Sequence, residues 1–212
     1  MNKTRVVFFL LTTLLAGCSS APLNLEIAKE RVMKYYNSGK YDSDLNEIVK
    51  HAENKFGSIT PDDSTAIVFD IDETIFSSYE FEKQIGFGYV DSMWYNYLSE
   101  SKEPVIKQTK SLYDFLIGKG FKIIFLTGRN IDQYNATYKN LIYNGFTKFD
   151  TLIVRQPNEY DFTAQKFKSI KRVKLTNKGY KIAGTVGDQY SDLDGPDHGV
   201  QVKIPNYIYI IK

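Results

Sequence analysis

Carboxylates end two of the apolar segments of this sequence. Asp70 and Asp72 close "AIVFDID", and Asp188 closes "IAGTVGD". If Asp70 and Asp188 were brought together, each would raise the pKa of the other unless a cation lay between them. Carboxylate and backbone oxygens are the ligands that Mg²⁺ prefers in proteins, so these residues predict a magnesium site.

A hydroxyl, a glycine amide and a lysine accompany these carboxylates. Thr127 and Gly128 end another apolar segment, "FKIIFLTG", and Lys168 lies in "AQKFKSIKR". A Mg²⁺ site with a free carboxylate and these groups can bind a phosphoryl group and attack its phosphorus. Any one of the features alone is more often a helix cap or a turn. Together, at the ends of separate strands, they predict one active site.

The elements that position these residues alternate along the chain. Buried strands are predicted for "TAIVFD", "FKIIFLT", "DTLIVR" and "YKIAGTVGD", with helical segments between them and two leading helices before them. This alternation is typical of βαβ units, so it predicts an α/β fold with a parallel sheet covered by helices on both faces. In such sheets the ligand site lies beyond the carboxyl ends of the strands.

The order of four motifs, "DIDET", "LTGR", "KSIKR" and "GDQYSD", resembles the haloacid dehalogenase (HAD) superfamily. The resemblance is to its acid phosphatases of the class B, class C and plant vegetative-storage type (subfamily IIIB), from about residue 67 onwards. Class C members usually carry Asn where this chain has Gly128, so class B and class C both stay open. The resemblance implies a HAD-like Rossmannoid sheet and a small helical cap inserted after the first strand, at about residues 76–104.

The resemblance also implies roles for the first two motifs. Asp70 would be the nucleophile that forms an aspartyl-phosphate, and its other oxygen would bind Mg²⁺. Asp72 would protonate the leaving alcohol and later activate water, while its backbone carbonyl supplies a metal ligand. The Thr127 hydroxyl and the Gly128 amide would bind phosphoryl oxygens.

The later motifs complete the implied site. The family pattern K-S-x-x-R falls on Lys168, which would neutralise the charge of Asp70 and of phosphate, and Asp188 would complete the metal site. Asp192 has two equal interpretations: a second-shell or water-mediated ligand, or an acid at a helix start. Glu73 is expected to face solvent or to cap the following helix, outside the catalytic set.

The inserted segment is rich in aromatic residues: Tyr79, Phe81, Phe87, Tyr89, Trp94, Tyr95 and Tyr97. We expect most of them to pack the cap and one or two to stack on the leaving group of the substrate. Nucleoside monophosphates and aryl phosphates have leaving groups that suit such stacking. The expected function is a secreted, Mg²⁺-dependent acid phosphatase. The alternatives are a non-catalytic storage or ligand-binding lipoprotein on the same fold, and a phosphotransferase.

The start of the chain, "MNKTRVVFFLLTTLLAGC", reads as a secretory signal over residues 1–17. Its ending resembles a bacterial lipoprotein box, in which Cys18 is lipidated, and Ser19 after it is typical of outer-membrane lipoproteins of the cell envelope. An ordinary cleaved signal with a chance cysteine is the alternative.

The mature chain, residues 18–212, is expected to form one domain, since it has ordinary globular composition and length. Removal of residues 1–17 leaves 25 basic and 25 acidic residues. A neutral protein has no net field that favours nucleic acid polymers or anionic membranes, so attachment to a membrane would come from the lipid alone. The oligomeric state is not predicted.

Overall fold

The computed structural model describes residues 22–211, so the signal segment, Cys18 and Ser19 lie outside the described residues. The helices and strands, in chain order, are α1 (Leu25–Asn37), α2 (Lys40–Gly57), β1 (Thr65–Phe69), α3 (Tyr79–Gln84), α4 (Asp91–Ser99), α5 (Lys107–Lys119), β2 (Lys122–Asn130), α6 (Tyr134–Tyr143), β3 (Thr151–Arg155), α7 (Ala164–Asn177), β4 (Lys181–Gly187), α8 (Tyr190–Leu193) and β5 (Val200–Lys203). Within this part of the chain, no helix is long and apolar enough to cross a membrane.

The five strands pair in the order β3-β2-β1-β4-β5, and every pairing is parallel. In β1, Ile67 and Phe69 face one hydrophobic cluster, and Ala66 and Val68 face the other. Helices α2, α5 and α6 contribute to the first cluster and α7 to the second. The expected α/β sheet with helices on both faces is confirmed. Strand β5 was not predicted, because its short sequence "VQVK" buries only Val202 fully.

Helix α2 shows why the helices bury one side. Its buried residues are Tyr41, Leu45, Val49, Ala52 and Phe56. They recur at intervals of three or four, which places them on one face of a helix with about 3.6 residues per turn. This face packs into the hydrophobic cluster on one side of the sheet.

The inserted segment begins and ends at one place beside the sheet. The Ser77 amide donates to the Pro104 carbonyl, and the Ile106 amide donates to the Ile75 carbonyl, both at 2.9 Å. Helices α3 and α4 lie between these two ends. The chain therefore leaves the core after β1, forms two helices, and returns to start α5.

Candidate active site

The predicted site residues at three strand ends lie at one edge of the sheet. Asp70 and Asp188 directly follow β1 and β4, and Thr127 lies in β2. The Asp70 amide donates to the Val186 carbonyl at 2.9 Å, so the pairing of β1 with β4 continues up to the site. Parallel pairing therefore brings Asp70 and Asp188 together, at the edge where ligands bind in sheets of this kind.

Asp70, Asp188 and Asp192 form a buried carboxylate cluster. Each offers one oxygen, and these oxygens all lie within 4.8 Å of one another. Asp192 can approach because Gly187 has no side chain: a Cβ there would lie 2.5 Å from the Asp192 side chain. The Oδ2 atom of Asp192 accepts from the Gln189 amide at 2.8 Å, at the start of α8. Asp192 therefore is an acid at a helix start, as one of its two interpretations expected, and its part in a metal site stays a prediction.

Lys168 is buried and contacts two members of this cluster. Its Nζ donates to Oδ1 of Asp70 and to Oδ1 of Asp192. Burial alone would lower the pKa of Lys168, but the carboxylates of Asp192 and Asp70 outweigh burial and raise it. Lys168 therefore stays protonated and holds a fixed positive charge against Asp70.

Two further lysines of α7 have other partners. Lys166 Nζ lies 4.0 Å from the centre of the Phe162 ring, and Lys171 Nζ lies 2.7 Å from Glu159 Oε1. The structure thus brings Lys168, and neither of its neighbours, to the carboxylate cluster.

The ionised form of the carboxylate cluster is unfavourable despite the contact with Lys168. Burial raises the pKa of Asp70 and outweighs the opposing effect of Lys168, while Asp192 and Asp188 raise it further. Burial, followed by the Asp192 carboxylate, also raises the pKa of Asp188. Among the described residues Lys168 is the one cation that forms an ion pair with these three buried carboxylates, so the cluster has both the charge and the oxygen donors that suit a divalent metal ion.

A separate buried ion pair network centres on Arg129, which the sequence analysis did not single out. Its Nε donates to both oxygens of Asp72, at 3.1 and 3.2 Å, and its Nη2 donates to Asp72 Oδ1 at 2.7 Å and to Glu103. Arg129 and Glu103 are buried, and Nη1 donates to Thr137 Oγ1 at 2.9 Å. Arg129 therefore fixes the direction of the Asp72 carboxylate. The one local signal for it was its place at the end of "LTGR".

Thr127 contacts Asp72, and Gly128, the next residue, lines a cavity that Asp72 also lines. The Thr127 hydroxyl donates to Asp72 Oδ2 at 3.3 Å and accepts from the Arg129 amide at 3.2 Å. Gly128 is exposed, and a Cβ there would lie 3.9 Å from Nε of Arg155. The structure thus brings Thr127 into contact with the second carboxylate of "DIDET", and Gly128 lines the same cavity as that carboxylate.

The expectation that Glu73 faces solvent is wrong. Its side chain is fully buried, and Oε1 accepts from both the amide and the hydroxyl of Ser78, each at 2.6 Å, at the start of α3. Burial raises the pKa of Glu73 to about 7. The backbone of Glu73 has a left-handed φ of 53°, so strand alternation ends before this residue and could not predict its direction. The alternative expectation, a contact that caps the following helix, agrees with the Ser78 bonds.

A cavity of about 910 Å³ opens onto the carboxylate cluster and onto the ion pair network of Arg129. Its lining includes Asp70, Asp72, Lys168, Asp188 and Asp192 from the site, Phe87, Tyr89, Trp94 and Tyr95 from the inserted segment, and residues 208–211 from the end of the chain. The volume is far larger than a phosphate group needs. The aromatic wall therefore leaves room for a sizeable leaving group.

Other aromatic residues of the inserted segment pack among themselves or against α1. Phe81 and Tyr97 stack with ring centres 4.3 Å apart, and Tyr79 stacks on Tyr36 of α1 at 4.5 Å. Tyr79, Phe81 and Tyr97 thus pack as expected for the inserted segment, and stacking of an aromatic residue on a substrate stays a prediction. The contribution of residues 208–211 to the cavity was not anticipated, because nothing local in that segment indicates its position.

We predict that Arg129→Met lowers the free energy of unfolding by about 3–5 kcal/mol, because the substitution leaves Glu103 and Asp72 without their cation. Urea denaturation followed by circular dichroism measures this change. The control is Lys181→Met, which removes an exposed ion pair with Asp62 and should change stability little. Equal effects of the two substitutions would contradict a structural role for the Arg129 network.

Comparisons with known proteins agree with this geometry. The family described as HAD superfamily, subfamily IIIB (Acid phosphatase), matches residues 12–212. The Stem 28 kDa glycoprotein of Glycine max is 31% identical over 189 residues, which cover 86% of this chain and 74% of the relative. Acid phosphatase 1 of Solanum lycopersicum is 32% identical over 148 residues, covering 68% of this chain and 58% of the relative. Vegetative storage protein 1 of Arabidopsis thaliana is also 32% identical, covering 68% and 54%.

The fold has a counterpart among solved structures. The class C acid phosphatase from Bacillus anthracis with tungstate bound superimposes with a TM-score of 0.71 at 19% identity, covering 87% of each chain. At this identity the likeness concerns the fold. The sequence match over residues 12–212 shows the family, and this chain belongs to subfamily IIIB of the HAD superfamily, the acid phosphatases.

Proposed function

We propose that this chain, a phosphomonoesterase by family, hydrolyses phosphate monoesters through a phosphoryl group carried on Asp70, with Mg²⁺ as its cofactor. The contact between the Asp70 carboxylate and buried Lys168, on the wall of the large cavity, carries the proposal. A carboxylate fixed in this way is an oxygen nucleophile that can form an acyl phosphate.

Hydrolysis by this route needs two displacements at phosphorus. In the first, an Asp70 oxygen attacks, the bond from phosphorus to the ester oxygen breaks, and Asp72 gives a proton to the departing oxygen. In the second, water attacks phosphorus, Asp72 takes its proton, and the bond to Asp70 breaks to release inorganic phosphate. The Arg129 guanidinium would orient Asp72 in both steps, because it holds this carboxylate in one direction.

The ligands for Mg²⁺ would be the carboxylates of Asp70 and Asp188 and the backbone carbonyl of Asp72. When bound, the ion would supply positive charge to the phosphoryl oxygens and to the carboxylate cluster. Asp192 would act indirectly, because its Oδ1 accepts from Lys168 and so keeps that ammonium group beside Asp70. The excess of carboxylates over cations in the buried cluster supports this assignment.

The Thr127 hydroxyl and the Gly128 amide would bind the phosphoryl oxygens together with Lys168. The cavity wall supports an aromatic leaving group, as in aryl phosphates or nucleoside monophosphates, because Trp94 and Tyr95 line it.

A storage role is the second candidate, since relatives named vegetative storage proteins match this chain. The buried contact of Asp70 with Lys168 favours catalysis, because a storage protein has no need of a nucleophile fixed by a cation. Phosphotransfer to an alcohol would use the same residues and differ only in the acceptor. Added glycerol would then yield glycerol phosphate in place of part of the inorganic phosphate.

We also propose that Cys18 carries a lipid that anchors the protein in a bacterial cell envelope, at the outer membrane. The "LAGC" ending of the apolar segment and Ser19 after it support this proposal.

The first test is phosphate release by purified protein from p-nitrophenyl phosphate and from a panel of nucleoside 5′-monophosphates. We expect turnover with Mg²⁺, loss of turnover with EDTA, and recovery when Mg²⁺ is restored. Asp70→Asn should lower kcat on the order of 10⁴-fold or more while circular dichroism shows an intact fold. Near-normal kcat in Asp70→Asn would exclude the covalent route, and no turnover of any ester by the wild type would exclude the proposed function.

A second test compares lysines of α7. Lys168→Ala should lower kcat on the order of 10² to 10³-fold, because it removes a buried donor fixed against the reacting carboxylate. Lys166→Ala is the matched control and should leave kcat nearly unchanged, since Lys166 lies over the Phe162 ring. The reverse order of effects would show that the K-S-x-x-R motif was assigned to the wrong lysine.

The lipid anchor is tested by expressing the full chain in a Gram-negative host with radiolabelled palmitate. The wild type should incorporate label and partition into the outer-membrane fraction, whereas Cys18→Ser should do neither. Incorporation of label by Cys18→Ser, or a wild type without label, would exclude lipidation at this residue.

A further inference from the structure

The chain after β5 runs past the end of β4, where Asp188 lies. The Ile204 amide donates to the Gly187 carbonyl at 2.8 Å, which continues the pairing of β5 with β4. Lys203 Nζ donates to the backbone carbonyl of Asp188, and to that of Ile204 at 2.9 Å. These contacts bring the C-terminal tail, residues 205–211, beside the carboxylate cluster.

Asn206 connects this tail to Asp188. Its Nδ2 donates to Asp188 Oδ2 at 2.6 Å, while its Oδ1 accepts from the amides of Ile208 at 2.7 Å and Tyr209 at 3.4 Å. Two backbone donors fix which end of the carboxamide is the oxygen, so the NH₂ group has to point at Asp188. The tail backbone therefore sets the direction of the Asn206 donor.

Gln189, the residue after Asp188, makes the same kind of contact. Its Nε2 donates to the same Asp188 Oδ2 at 2.6 Å, and its Oε1 accepts from the Ile211 amide at 3.1 Å. The tail backbone thus orients a second carboxamide toward the same oxygen. Both donors to Asp188 Oδ2 depend on the conformation of residues 206–211.

The two amides leave the other oxygen of Asp188 facing Asp70. The Thr74 hydroxyl marks this side, because it lies 3.4 Å from Asp188 Oδ1 and 3.2 Å from Asp70 Oδ2. Three buried carboxylates repel one another, so an Asp188 side chain without amide donors would gain by rotating away from Asp70. The donors on Oδ2 oppose this rotation.

We propose that the C-terminal tail positions the metal site: Asn206, with Gln189, holds Asp188 so that Oδ1 is presented to the cation beside Asp70. The inference rests on the proposed Mg²⁺ site and assigns Asn206 as a positioning residue that acts through Asp188. Residues 208–211 of the same tail line the cavity, so one segment fixes a metal ligand and contributes to the substrate wall.

The test is Mg²⁺ binding measured by calorimetry on the purified full-length chain in detergent, with Mg²⁺ alone and no substrate. Asn206→Ala should raise the Kd for Mg²⁺ about 10 to 100-fold, as loss of a partner of a metal ligand commonly does. The Mg²⁺ concentration for half-maximal phosphatase activity should rise by a similar factor. Tyr207→Phe is the matched control from the same tail, because the Tyr207 side chain is exposed and packs on Tyr35.

Circular dichroism and the Tm without Mg²⁺ separate weak metal binding from misfolding. Gln189→Ala removes the other donor and should weaken Mg²⁺ binding in the same direction, which keeps the inference testable if Asn206→Ala does not fold. A Kd within about twofold of wild type in whichever of these variants folds would overturn the inference.

The outcomes also separate this inference from the proposed function. A wild type that binds Mg²⁺ but hydrolyses no ester would overturn the function, while the Asn206 comparison would still decide the positioning role. A wild type that binds no Mg²⁺ would overturn both the proposed cofactor and the positioning role.

Discussion

Mutual repulsion among buried carboxylates is the constraint on which the rest of this structure depends. Asp70, Asp188 and Asp192 are nearly inaccessible to water and offer oxygens within 4.8 Å of one another. In a medium of low effective dielectric such a cluster is costly unless donors and cations surround it. The protein supplies Lys168 on one side and the amides of Gln189 on another, and still leaves a negative charge that suits a divalent metal ion.

The two aspartates of "DIDET" belong to different charge networks. Asp70 contacts Lys168, whereas Asp72 contacts Arg129, whose second carboxylate partner is Glu103. In the proposed mechanism the two carboxylates need different environments, because Asp70 would attack phosphorus and Asp72 would exchange a proton. Alternation along the extended segment after β1 directs both carboxylates to the same side, and each there meets its own cation. The fold thus places two neighbouring carboxylates in two different charge networks.

Two segments outside the repeating strand and helix units complete the site. The insertion between β1 and α5 supplies aromatic residues to the cavity, and residues 208–211 supply another part of its lining. Both are fixed through the carboxylate region: Glu73 binds Ser78 at the start of α3, and Asn206 binds Asp188. Two segments that line the cavity are therefore held by residues of the charged centre or next to it in the chain.

The sequence by itself determined the α/β sheet and the strand ends that carry Asp70, Thr127 and Asp188. It also determined the choice of Lys168 within its helix. These features could be predicted because periodicity and local motifs depend on residues close together in the chain. Tertiary structure alone decided which distant side chains contact the residues of the site. Glu103 lies 26 residues from Arg129, and Asn206 lies 18 residues from Asp188. No local pattern encodes such pairs, since each contact depends on where separate elements pack. Strand β5, the buried Glu73 and the C-terminal tail were unpredictable for the same reason: their burial comes from neighbours distant in sequence.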